Sequence, residues 1–222
     1  MRVWVVIAAY NEASVIGRVI NEVKRRGYTV VVVDDGSSDR TAEASAPAHV
    51  LVRHPINLGQ GAALQTGIDF ALESGADVIV TFDADGQHRA ADIEKLVQAI
   101  RVADVDFALG SRFLACSDGM PAARRILLKA ATLFTQLTTG LRISDTHNGL
   151  RAMTRRGARV VRLRQNRMAH ASEMLSQIAA SGLGYVEVPV SIEYSAYSLA
   201  KGQTIGDALT ILLDLFARRL YR

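Results

Sequence analysis

Two carboxylates one residue apart, Asp83 and Asp85, close the apolar, β-rich run Val78-Ile79-Val80-Thr81-Phe82. On an extended backbone residues i and i+2 point the same way, so the pair is expected to face one spot beyond a strand's carboxyl end. Two like charges held that close repel, and a divalent cation is the usual means of offsetting the repulsion. Oxygen ligands combined with substrate phosphates suit Mg²⁺ or Mn²⁺. The pair therefore points to a metal-dependent site for a phosphorylated substrate.

Two other polar clusters follow apolar runs in the same manner: Ala9-Tyr10-Asn11-Glu12 and Asp34-Asp35-Gly36-Ser37-Ser38-Asp39. If the runs are parallel strands, all three clusters share the carboxyl edge of one sheet, where open α/β sheets bind ligands. Chance would scatter them over both edges. Asp34 and Asp35 at such an edge can accept from a ribose hydroxyl or a base N–H, whereas residues 37–39 fit equally well a turn and the cap of a helix starting near Arg40. Asn57-Leu58-Gly59-Gln60-Gly61 precedes a helical pattern. Its N–H groups could cradle phosphate, but it is neither a dinucleotide fingerprint nor a P-loop, and a tight turn packing a helix beside the ligand is the simpler role.

The elements that must hold these clusters can be read from periodicity. Strand-like runs fall at 3–9, 29–33, 49–53, 77–82 and 106–109, and helix-period segments at 14–26, 60–74 and 90–102. This alternation predicts an α/β fold with a mainly parallel central sheet covered by helices on both faces. The second half is less regular: helices at 121–139 and 171–181, strands at 148–154 and 185–194, and a last amphipathic helix at 205–221.

The chain has 222 residues, 49% of them hydrophobic, a formal charge of +4 and a single cysteine, Cys116. That length supports one substantial core. The mild basic excess fits anionic small molecules or lipid, and no nucleic-acid signature accompanies it. A lone cysteine fits a reducing cytoplasm. No run of about 18 apolar residues occurs, and the apolar start is too short for a signal peptide, so neither a membrane span nor secretion is expected.

Taken together and in order, the clusters above, with Asp83-Ala84-Asp85-Gly86-Gln87-His88, Gly110-Ser111-Arg112 and Asp145-Thr146-His147-Asn148-Gly149-Leu150-Arg151, resemble family 2 glycosyltransferases. The similarity spans about residues 3 to 202 and is greatest to the polyprenyl-phosphate sugar transferases. It implies a GT-A, Rossmann-like fold over residues 1–203, an inverting transfer from a UDP- or GDP-sugar, a divalent metal, and a polyprenyl phosphate acceptor at the cytoplasmic face of a membrane. By that resemblance Ala9, Tyr10, Glu12 and Asp35, with Asp34, contact the nucleoside. Asp83 and Asp85 hold the metal, with Ala84 and Gln87 beside it and Gly61 on the loop nearby. Arg112 and Lys201 approach the phosphates, and Asp145 lies near the anomeric carbon, as a base or as a positioning group. Glu173 is a second acid to consider, and His88 and His147 are expected either to touch metal or phosphate or to be hydrogen-bonded structural residues.

The first motif reads Ala-Ala-Tyr where relatives commonly carry Pro before Tyr, and residues 194–202 match the relatives' basic loop only loosely. An amphipathic helix at 204–222, with basic and aromatic residues at its end, and the basic Arg124, Arg125 and Lys129 suggest peripheral contact with a membrane or membrane partner. Packing on the core or in a homodimer is the alternative. Transfer to a saccharide hydroxyl in envelope polysaccharide synthesis, and a non-catalytic nucleotide-sugar-binding module, are the competing functions. A dehalogenase-type phosphatase would place Asp-x-Asp at its first strand, and a sugar nucleotidyltransferase would carry a Gly-rich basic loop where this chain has Ala9-Tyr10-Asn11-Glu12.

Overall fold

The computed structural model describes residues 1–115, 122–165 and 169–193. In chain order the strands are β1 (Val3–Ala9), β2 (Thr29–Asp34), β3 (Val50–Arg53), β4 (Val78–Asp83), β5 (Phe107–Ser111), β6 (Arg151–Thr154) and β7 (Tyr185–Pro189). They form one sheet in the order β3-β2-β1-β4-β6-β5-β7. The helices are α1 (Ile16–Lys24), α2 (Thr41–Ala44), α3 (Gln60–Glu73), α4 (Ala91–Ala103), α5 (Ala122–Thr139), α6 (Arg155–Val160) and α7 (Ala169–Ser181). The expected α/β architecture and mainly parallel sheet are borne out.

Alternation along β1 explains the layering. Val5 and Ile7 face one side, with Ile16, Ile20 and Val23 of α1 and Ile93 and Leu96 of α4; Val6 faces the other, with Leu64 and Ile68 of α3 and Met174 and Ile178 of α7. A strand covered on both faces reads as a near-continuous apolar run, as β1 and the interiors of β2 and β4 do. Each fully buried aliphatic side chain contributes about 1.5–3 kcal/mol.

β6 runs against its neighbours, pairing Thr81 with Arg151 on β4 and Leu109 with Arg151 on β5. Its amino end therefore lies at the carboxyl edge of the parallel strands. The loop 145–150 that leads into it joins the other polar clusters there.

Several boundaries differ from the periodicity reading. The strand expected at 148–154 begins at Arg151, because Asn148 and Gly149 belong to the loop. The strand expected at 185–194 ends at Pro189, which cannot donate to the ladder, and Ile192 makes an isolated bridge to His88. Helix α6 is too short to show a period; the Thr154 hydroxyl caps it by accepting from the Gly157 N–H at 3.0 Å. Lys201, the 194–202 segment, the helix expected at 204–222, Cys116 and the Arg124 side chain lie outside what is described.

Candidate active site

The carboxyl edge opens into a cavity of about 490 Å³. Ala9, Tyr10, Glu12, Asp35, Asp83, Ala84, Asp85, Gln87 and Arg112 line it, so the polar clusters do converge. Asp34, Gly61 and Asp145 do not line it.

On the β1–β2 side, Asp35 is 2% exposed and holds the 57–60 loop: its Oδ1 accepts from Leu58 N at 2.9 Å and its Oδ2 from Gly59 N at 2.7 Å. His54 Nδ1 lies 2.7 Å from the same Oδ1. A carboxylate offers about four acceptor positions, and these partners take three of them. Gly36 makes this approach feasible, since at φ +69° its Cβ would lie 2.4 Å from the Ile56 carbonyl carbon. Asp34 is turned away, accepting from Ser37 N and from Arg53 Nε. Neighbouring residues at a strand end point to opposite sides, so only one of the two acids reaches the cavity. Glu12, 9% exposed, is fixed by its backbone N–H donating to the Thr41 hydroxyl at 2.7 Å.

Asp83 is the last residue of β4, whereas Asp85 lies in the turn that follows. Strand alternation therefore does not bring them together; the turn does, with Gly86 at φ +73° and Asp85 Oδ1 accepting from Gln87 N at 3.0 Å. His88 Nε2 lies 2.9 Å from Asp83 Oδ2, and the Gln60 amide donates to Oδ1 at 3.4 Å. Burial works to raise the Asp83 pKa, but the His88 hydrogen bond and charge, with His170 and Arg151 nearby, hold it below the usual carboxylate value. Burial and the charge of Asp83 push Asp85 up to about 6. Among the described residues no cluster of three or more His, Cys, Asp or Glu forms a closed metal cage. A two-carboxylate site leaves positions for phosphate oxygens and water, the arrangement that Mg²⁺ and Mn²⁺ adopt with phosphate substrates.

Arg112, just after β5, is 5% exposed and pairs with Asp145: Nε to Oδ2 is 2.6 Å, and the Arg112 backbone N–H donates to the same oxygen at 3.1 Å. Arg112 also donates through Nη2 to the His147 carbonyl at 2.7 Å. The Asp145 side chain is fully buried behind it, and its Oδ1 accepts from His147 N at 3.2 Å. The preceding Ser144 is held by Glu187 of β7, which accepts from its N–H at 2.8 Å.

Arg151 is the residue that periodicity hid. Its buried guanidinium donates to the carbonyls of Asn148 and Thr146, at 3.0 and 2.9 Å, and so ties the loop to β6. Burial lowers its pKa to about 10, with Asp145 and Asp83 opposing the shift. His170 of α7 lines the cavity as well. The signal for it was Gly61, whose Cβ would meet the Gln165 carbonyl at 2.1 Å and the His170 Cβ at 3.0 Å, so Gly61 serves the close packing of α3 on the α7 lead-in. Glu173 instead accepts from the Arg164 and Gln165 N–H groups, both at 2.9 Å.

The model of the Glycosyl transferase family 2 domain matches residues 4–172. The chain belongs to this family. This family 2 enzyme is 31% identical to UDP-N-acetylglucosamine--dolichyl-phosphate N-acetylglucosaminyltransferase of Methanococcus voltae, over 91% of this chain and 90% of the relative. It is 29% identical to undecaprenyl-phosphate mannosyltransferase of Micrococcus luteus, over 94% of this chain and 91% of the relative. Its fold matches that of glucosyl-3-phosphoglycerate synthase from Mycobacterium tuberculosis in complex with Mn²⁺, UDP and phosphoglyceric acid. The TM-score is 0.72 with 17% identity, covering 98% of this chain and 78% of that one. Family membership and the GT-A fold bear out the resemblance seen in the sequence. No helix among the described residues is long and apolar enough to cross a membrane.

Proposed function

We propose that this family 2 glycosyltransferase moves a sugar, with inversion and with a divalent metal, from a nucleoside diphosphate to a polyprenyl phosphate. The observation that carries the reading is that Asp83 and Asp85 open into a single cavity between Tyr10 and Glu12 on one side and Arg112 on the other. The named acceptors of the two relatives, dolichyl and undecaprenyl phosphate, support the acceptor class, and the Mn²⁺–UDP complex of the structural neighbour supports the donor and metal class.

Each residue then has a role. Tyr10, Glu12 and the remaining acceptor position on Asp35 bind the nucleoside. Asp83 and Asp85 would hold Mg²⁺ or Mn²⁺, which supplies positive charge for the departing diphosphate. Arg112 adds a charge-assisted hydrogen bond to phosphate. An acceptor phosphate oxygen attacks the anomeric carbon while the bond from that carbon to the diphosphate oxygen breaks, its electron pair leaving with the diphosphate. A phosphate is already ionised near neutral pH, so no general base is needed. This agrees with Asp145, whose carboxylate is buried in hydrogen bonds behind Arg112; a saccharide hydroxyl would need a base there.

Membrane approach is part of the same proposal. Ile126, Leu133 and Leu137 of α5 are exposed on one side of the helix beside Arg125 and Lys129, and the sequence at 204–222 is amphipathic and basic at its end. Apolar side chains flanked by cations suit an anionic lipid interface. We assign residues 1–203 to catalysis and 204–222 to this contact.

A thermal-shift screen of UDP- and GDP-sugars with Mn²⁺ tests the donor class. One donor class should raise Tm, by mass action, only when metal is present. The absence of a shift with every nucleotide sugar would overturn the proposal.

A further inference from the structure

Asn148 is 1% exposed and lines the cavity. Its orientation is fixed: Oδ1 accepts from the Leu150 N–H at 3.0 Å, and an N–H can only donate, so the NH₂ end is the free one. That amide nitrogen is buried and has no hydrogen-bond partner. The Nδ1 atoms of the preceding residue His147 and of His88, which also line the cavity, are buried and unpartnered as well. A buried donor left unmet is costly, and native structures rarely tolerate one unless water, an ion or a ligand meets it.

The surroundings are built to hold this loop still. The His147 backbone is fixed on both sides, its N–H by Asp145 and its carbonyl by Arg112. Arg151 ties down the Asn148 carbonyl. Gly149 has Asp83 against it so closely that a Cβ there would lie 2.3 Å from both carboxylate oxygens. Burial, reinforced by Arg151 and Arg112 against the pull of Asp145, lowers His147 to about 4, so the ring is neutral at physiological pH.

Strand order gives the ligand. Across the edge the sheet runs β2, β1, β4, β6. The first two carry Asp35, Tyr10 and Glu12, β4 carries Asp83, and the loop entering β6 carries His147, Asn148 and Gly149. Adjacent strands lie about 4.8 Å apart, so this sequence of groups is a linear track. On the nucleotide-sugar reading above, the nucleoside occupies its start and the diphosphate its middle. The group joined directly to the diphosphate is the sugar. A neutral pair of polar side chains next in line suits hydroxyls better than phosphate.

We propose that Asn148, assisted by His147, recognises a hydroxyl of the transferred sugar and is a specificity-determining residue of the donor site. The assignment rests on the nucleotide-sugar reading of the cavity.

The test compares, in one protein, the affinity for a nucleoside diphosphate with that for its sugar conjugate. Calorimetry with Mn²⁺ would use UDP against UDP-N-acetylglucosamine and UDP-glucose, and GDP against GDP-mannose, on the full chain. Asn148→Ala removes the whole amide, whereas Asn148→Asp keeps an acceptor for Leu150 and exchanges the NH₂ donor for a carboxylate oxygen. Both variants should lower the affinity for the sugar conjugate about tenfold relative to the bare diphosphate, a change of about 1.4 kcal/mol. An unchanged ratio, including parallel loss of both ligands, overturns the inference. A wild-type ratio in Asn148→Asp also overturns it, because the NH₂ donor would then play no part in sugar binding. Failure of the unaltered protein to bind any of these nucleotides overturns the nucleotide-sugar reading itself, and the inference falls with it.

Discussion

Arg112 and Asp145 form a buried ion pair, Nε to Oδ2 at 2.6 Å, in which the arginine lines the cavity and the aspartate does not. The acid that the family resemblance puts beside the anomeric carbon thus does not reach the cavity itself; it holds the arginine that does.

Asp145→Asn keeps the shape of the side chain and removes its charge. Breaking a buried pair from one side costs about 3–5 kcal/mol, because a charge is left uncompensated. The variant should melt lower and bind nucleotide sugar more weakly, as seen by thermal melting and calorimetry. A general base would behave differently, losing turnover with donor affinity intact.

Gly149→Ala drives a methyl group into the Asp83 carboxylate. Asp83 is fixed by the end of β4 and by His88, so it has little room to yield. Mn²⁺ affinity should fall at least tenfold while the far-UV circular dichroism stays unchanged. Wild-type Mn²⁺ binding in this variant would contradict the placement of Asp83.

The metal-free protein should show a pH signature from Asp85. Its pKa is raised from 3.8 to about 6 by burial and by Asp83, so between those values the native state binds the extra proton. The contribution of Asp85 to stability therefore falls as pH rises through about 6. Metal binding requires the ionised form, so the Mn²⁺-induced rise in Tm should shrink between pH 7.5 and pH 5. An Mn²⁺ shift as large at pH 5 as at pH 7.5 would count against Asp85 as a ligand.

Removal of residues 204–222 should reduce recovery of the protein with anionic vesicles in a flotation assay. Substituting Leu133 and Leu137 of α5 by Gln should reduce it further. Equal recovery for all three proteins would argue against this membrane approach.

Much of this site was legible in the sequence because parallel strands end where their polar clusters begin. Three strand ends, at Ala9, Asp34 and Asp83, put Tyr10, Glu12, Asp35 and Asp83 on one edge. Asp145 was harder. It precedes its strand, and it reaches the same edge only because β6 runs antiparallel, which periodicity does not report. The choice between Asp34 and Asp35 depends on which side each carboxylate leaves the strand, and two adjacent acids look alike in a sequence. Asp85 lines the cavity by way of a turn and not of an extended strand. Arg151 and His170 arrive through tertiary packing, with Gly61 the only local trace of how closely α3 and the α7 lead-in approach.

Metal-dependent sugar transfer through Asp83 and Asp85 to a lipid phosphate can be measured directly. The most direct measurement is transfer of labelled sugar, from the donor that the thermal-shift screen selects, to undecaprenyl phosphate. It should be run for the wild-type protein with Mn²⁺, with EDTA, and with EDTA followed by excess Mn²⁺, beside Asp85→Asn. Lipid-linked sugar should form only where Mn²⁺ is present, recover on adding it back, and fall by about 10²–10³-fold in Asp85→Asn. That variant should melt no lower than wild type, since it relieves the repulsion with Asp83. Full transfer in EDTA, or near wild-type transfer by a folded Asp85→Asn protein, would rule out a metal-dependent role for this pair.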